Sequence, residues 1–201
     1  MLDAKVRPFI DPVLNAVGRR LARAGIGANQ VTIAGFLLGI AAAAAIAAGQ
    51  YLGGLALLLA SRLCDGLDGA VARASQKTDY GGYLDIVLDF AFYGAIPFGF
   101  ALADPSNNAV AAAALILAFY VNGASFLAFA AIAEKRGLSK AQNSAKSLFF
   151  SAGLAEATET LAVFCAMCLW PQFFAWLAYG FAAATALTTL ARIASAGRIF
   201  S

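Results

Sequence analysis

Asp65, Asp68, Asp85 and Asp89 lie close together in otherwise strongly apolar sequence. An ionised carboxylate at the centre of a membrane helix costs about 2.5–3.5 kcal/mol on insertion scales, so four in one place require a compensating cation or a water-filled cavity. A divalent metal ion meets that requirement. An oxygen-only set suits Mg²⁺, Mn²⁺ or Ca²⁺ rather than zinc, and the chain has no histidine to complete a Cys/His site. Four acids allow two ions, the arrangement that stabilises both the attacking and the leaving oxygen of a phosphoryl displacement.

The spacing says how the acids can meet. Asp65, Asp68, Gly69, Ala72 and Arg73 recur at intervals of three and four, which places them on one helix face together with Arg62. Gly81, Asp85 and Asp89 recur at four, and Tyr93 continues the stripe. An antiparallel hairpin turning between Ala74 and Tyr80 brings Asp65 level with Asp89 and Asp68 level with Asp85. At 1.5 Å rise per residue the acids then sit about 10–15 Å below the turn. Gly69 admits a ligand close to the backbone, and Arg73 suits a phosphate.

The run Asp65-x-x-Asp68-Gly69-x-x-Ala72-Arg73 followed by Gly81-x-x-x-Asp85-x-x-x-Asp89 resembles the signature of the CDP-alcohol phosphatidyltransferase family. That resemblance implies transfer of a phosphatidyl group from a CDP-linked lipid, CDP-diacylglycerol in particular, to an alcohol, with release of CMP. It implies Asp65, Asp68 and Asp85 as principal metal ligands for Mg²⁺ or Mn²⁺, two ions in all, with Asp89 near the second ion and acting as general base. Gly69, Ala72 and Arg73 would line the CDP site, with Thr32 at its border. Lys146 and Arg192 would receive the phosphate of a phosphorylated acceptor, and a homodimer is expected. Two departures stand out. Seven residues separate Arg73 from Gly81 where the family usually has eight, and Ala28-Asn29-Gln30-Val31-Thr32 lacks the proline that usually precedes the asparagine.

The elements that must carry these residues are membrane helices. The chain has 201 residues, 62% hydrophobic and 12% charged, with mean hydropathy +0.77, whereas soluble proteins average about 25% charged. The expected fold is all-α and integral to the membrane: six transmembrane helices near 29–48, 51–73, 80–101, 109–133, 147–168 and 172–195, preceded by a cytoplasmic amphipathic helix. One domain is expected over residues 1–201, with 1–26 as the interfacial segment. In that segment Asp11-Pro12 reads as an N-cap with proline at the first helical position. Lys and Arg are absent from 49–53, 103–108 and 170–172 and fill the alternate connections, which places both termini in the cytoplasm.

Other features carry less chemistry. Gly35-x-x-x-Gly39 fits a close helix contact. Cys64, Cys165 and Cys168 read as packed thiols. Glu156 and Glu159 interrupt the fifth span, either near an acceptor or facing a hydrated cavity. The competing class is an ion-coupled carrier whose aspartates bind the transported cation. It predicts polar residues across the full thickness, but the outer halves of the second and third spans are apolar apart from small residues.

Overall fold

A computed structural model describes residues 3–137 and 157–200, with no strand among them. The helices are α1 (Asp3–Arg23), α2 (Ala28–Ala47), α3 (Tyr51–Ala74), α4 (Asp79–Ala103), α5 (Pro105–Lys135), α6 (Ala157–Leu169) and α7 (Phe174–Phe200). A 3₁₀ turn at Pro171–Phe173 leads into α7. Local signals set several boundaries. Gly25 and Gly49 end α1 and α2 with φ of 80° and 77°, a left-handed conformation that glycine adopts without steric cost. Thr78 caps α4 by accepting from the Gly81 N–H at 3.0 Å. Asp104 caps α5 by accepting from the Asn107 N–H at 3.2 Å, with Pro105 at the first helical position. The connection between α4 and α5, expected over 103–108, is therefore Asp104 alone.

Helix α1 corrects one expectation. It starts at Asp3 and runs through Pro12, so Asp11 is not its N-cap. Packing against α3 supports the helix through the backbone bond that proline removes: Leu14 covers Gly66, and Gly18 lies so close to α3 that a Cβ there would meet Ala70 at 2.7 Å. Val13 and Val17 remain exposed on its other side.

Helices α2, α4, α5 and the Pro171–Phe200 unit are long and apolar enough to cross a membrane. That is four of the six expected spans. The 24-residue α3 is long enough, but Arg62, Asp65, Asp68 and Arg73 dilute its apolar content. The described part of the fifth expected span, α6, has 13 residues. Large apolar side chains such as Leu37, Leu63, Val110, Leu117 and Trp176 point outward, the surface that lipid tails solvate. The interior is aromatic: Phe100 stacks on Phe174 with ring centroids 4.5 Å apart and on Tyr51 at 5.7 Å.

The arrangement of α2, α3 and α4 matters most for function. Helix α2 packs against both α3 and α4, while the backbones of α3 and α4 make few close approaches to each other. The expected direct hairpin is thus splayed, with α2 as the common support and the acids in the space between. Small residues permit this. A Cβ on Gly35 would meet the Cys64 Cβ at 2.8 Å, one on Gly39 would meet Phe92 at 2.5 Å, and one on Gly99 would meet the Ala43 carbonyl oxygen at 2.6 Å. Gly35-x-x-x-Gly39 does mark a close contact, made with two helices rather than one.

Candidate active site

Helical periodicity on α3 aims Asp65 and Asp68 at α4, and that on α4 aims Asp85 back. One carboxylate oxygen from each of these three residues lies within 4.8 Å of the others. Asp68 is 7% exposed, and its Oδ2 is buried with no hydrogen-bond partner. An orphaned buried carboxylate oxygen is costly. Thr32, Phe36 and Ser61 complete the walls of this small pocket. The Thr32 hydroxyl donates to the Ala28 carbonyl at 3.0 Å.

The fourth acid behaves differently. Asp89 lines the same pocket, but its Oδ1 accepts from Arg62 Nη1 at 2.8 Å. The same Nη1 stands 3.4 Å from Asp65 Oδ1, and the guanidinium carbon lies 3.8 Å from the Phe92 ring centroid. Arg62 has a side chain only 14% exposed, and a cation so enclosed requires such partners. The four carboxylates facing one guanidinium leave the pocket strongly negative. Clustered hard oxygens, net negative charge and an unpartnered buried Asp68 oxygen together fit a divalent cation.

Asp89 also lines a second, larger cavity of about 350 Å³. Its walls are Tyr93 of α4, Phe119, Asn122 and Phe126 of α5, Thr160 of α6 and Arg192 of α7. Arg192 Nη1 donates to the Asn122 carbonyl at 3.0 Å, to Asn122 Oδ1 at 2.9 Å and to Ser125 Oγ at 2.8 Å. Thr189 Oγ1 lies 3.2 Å from Asn122 Oδ1. A cation is therefore fixed in an aromatic chamber that adjoins Asp89. Sequence reasoning passed over Asn122. The available signal was a lone amide inside a long apolar helix, where intramembrane polar side chains serve as interhelical partners or line a functional site.

The remaining expected residues fall in three places. Gly69 and Ala72, both half-buried, and the exposed Arg73 follow Asp68 along α3 toward its C-terminal end, outside the walls of the acid pocket. Arg73 donates to Asn15 Oδ1 of α1 through Nε at 3.3 Å and Nη2 at 2.9 Å. Gly81 is the constrained glycine of the turn, because a Cβ there would meet Asn29 Oδ1 at 2.9 Å, whereas Gly82 faces open space. The one-residue shortening before Gly81 therefore leaves the α2–α4 contact in place. Lys146 and Glu156 lie outside the described residues, and Glu159 sits in the first turn of α6.

The sequence profile of CDP-alcohol phosphatidyltransferases matches residues 26–191. The chain belongs to the CDP-alcohol phosphatidyltransferase family. It is a metal-dependent membrane enzyme of phospholipid synthesis that moves a phosphatidyl group from a CDP-linked lipid to an alcohol and releases CMP. It is similar to the inner membrane protein YnjF of Escherichia coli, at 46% identity over 96% of this chain and 94% of that one. It is also similar to the archaetidylinositol phosphate synthase of Methanothermobacter thermautotrophicus, at 42% identity over 47% of this chain and 45% of that one. The fold matches the phosphatidylinositol phosphate synthase of Mycobacterium tuberculosis with CDP-DAG bound, at a TM-score of 0.65 and 22% identity over 90% of this chain and 92% of that one. The same mycobacterial protein in complex with manganese and citrate also gives a TM-score of 0.65 at 22% identity, over 90% and 87%. In this phosphatidyltransferase the acid pocket thus coincides with the family signature, and the aromatic cavity adjoins it.

Proposed function

We propose that this enzyme transfers the phosphatidyl group of CDP-diacylglycerol to a phosphorylated alcohol at a site open to the cytoplasm. The observation that carries this reading is the position of Asp89, which lines both the acid pocket and the cavity that holds Arg192. Asp65, Asp68 and Asp85 hold Mg²⁺ or Mn²⁺, and the mycobacterial complex with manganese supports the second. A second ion, expected from the count of acids, needs Asp89 and therefore meets Arg62. Gly69, Ala72 and Arg73 border the CDP moiety, with Thr32 at the metal end. Six spans, residues 1–26 along the membrane surface, both termini in the cytoplasm and a homodimer complete the reading. Charge placement and the family resemblance support these features.

The chemistry divides between the two chambers. A metal ion held by Asp65, Asp68 and Asp85 would supply positive charge to the donor diphosphate and to the departing CMP. Asp89 accepts the proton of the acceptor hydroxyl as that oxygen bonds to the lipid-side phosphorus and the bond from that phosphorus to CMP breaks. Arg192, held by Asn122 and Ser125, receives the acceptor's phosphate, and Lys146 is assigned to the same group. The aromatic walls limit water, the competing nucleophile. The archaeal relatives that are archaetidylinositol phosphate synthases support inositol phosphate as the acceptor.

Purified protein given CDP-diacylglycerol, Mn²⁺ and a panel of inositol phosphate, glycerol phosphate, inositol and serine should release CMP with a phosphorylated alcohol. Arg192→Gln is expected to raise the acceptor KM by about tenfold or more, the scale of a lost charge-assisted hydrogen bond, with a smaller change in kcat. Equal turnover with inositol or serine, or an unchanged acceptor KM in the variant, would contradict the assignment.

A further inference from the structure

Building on the metal centre proposed above, we infer that Arg62 occupies the place of a second cation, so that a second divalent ion binds only by displacing it. Arg62 Nη1 bridges the two acids on one side of the pocket, at 2.8 Å from Asp89 Oδ1 and 3.4 Å from Asp65 Oδ1. An ion shared by the same two carboxylates would have to occupy that position. Mg²⁺ binds oxygens at about 2.0–2.1 Å and Ca²⁺ at about 2.3–2.6 Å, which leaves no room for a guanidinium nitrogen among the same oxygens.

The arginine is seated by groups from three helices. Phe92 of α4, 1% exposed, lies under the guanidinium and itself rests on Gly39 of α2. Ser61 accepts from Arg62 Nη2 at 3.3 Å and donates to the Gly35 carbonyl at 2.7 Å. Yet Arg62 Nε is buried with no hydrogen-bond partner. The cation is held by charge and ring stacking more than by a full set of acceptors, and a doubly charged ion can compete with that. Asp68 and Asp85 accept no hydrogen bond from Arg62, so the other side of the pocket is undisturbed. Arg62 thereby makes the two halves of the acid cluster unequal. It withdraws Asp89 from metal ligation and keeps that carboxylate at the wall of the aromatic cavity. It is a positioning residue, acting through Asp89.

The test is a Mn²⁺ titration of the full chain in lipid nanodiscs, followed by electron paramagnetic resonance without substrate. The wild type should bind one ion tightly and a second at least about tenfold more weakly, because the second must break the Arg62 ion pairs with Asp89 and Asp65. In Arg62→Met the second ion should tighten at least about tenfold, and by more than the first. Arg62→Lys, which retains the charge, should restore the weak second site. Phe92→Leu, which keeps the arginine but removes the ring beneath it, should tighten the second ion by a smaller factor and decides the matter should Arg62→Met fail to fold. Two ions of equal affinity in the wild type, or a second affinity unmoved in both Arg62→Met and Phe92→Leu, would overturn the role of Arg62 while leaving the metal centre intact. No Mn²⁺ binding by the wild type would overturn the metal centre as well.

Discussion

Asp68→Asn should lower CMP release by about three orders of magnitude or more, with no recovery at excess Mn²⁺ or Mg²⁺. The magnitude follows from the several kcal/mol that a bound metal contributes to charge stabilisation in the transition state, at about 1.4 kcal/mol per tenfold in rate. Asp68 is the most deeply buried of the acids and has the orphaned oxygen, so its carboxylate has the least alternative use. Asparagine keeps the shape and removes a charge from a crowded acidic pocket. The melting temperature of the variant in detergent or nanodiscs should therefore be unchanged or raised, since like charges are relieved. Turnover within tenfold of wild type would show that the three-acid cluster is not the catalytic metal centre.

Asp89→Asn should have a comparably large effect by a different route. Loss of a general base costs about 10²–10⁴ in rate, while the three acids that approach one another remain. Single-turnover CMP release should fall by that amount, and CDP-diacylglycerol should still bind with an affinity within about threefold of wild type. The separation is expected because Asp89 also lines the aromatic cavity proposed for the acceptor, whereas the donor's diphosphate is proposed to meet the metal ion that Asp65, Asp68 and Asp85 would hold. Unchanged turnover would remove Asp89 from proton transfer. Loss of donor binding along with rate would make it a metal ligand instead.

The aspartates were legible in sequence because a helix turns intervals of three and four into one face, and two such faces on successive helices can meet only if the acids share a centre. Asp65, Asp68 and Asp85 meet for that reason. The separation of Asp89 was not legible, since it depends on Arg62 reaching across to another helix and resting on Phe92. Spacing placed Arg62 on the acidic face without specifying which acid it would bind. The packing of α2 against both α3 and α4 was similarly hidden. Gly35 and Gly39 advertise a close contact, but only the third dimension shows that Cys64 and Phe92 on two different helices fill it. The aromatic cavity draws on α4, α5, α6 and α7, residues with no common periodicity. Helix α1 continues through Asp11-Pro12 because packing against α3 outweighs that local capping signal.

Crystals of the full chain grown with Mn²⁺ and examined at the manganese absorption edge would address the central claim most directly. An anomalous peak among the carboxylate oxygens of Asp65, Asp68 and Asp85, at direct-coordination distance from each, is the predicted result. Manganese bound elsewhere, or those three carboxylates devoid of anomalous signal at saturating Mn²⁺, would contradict it.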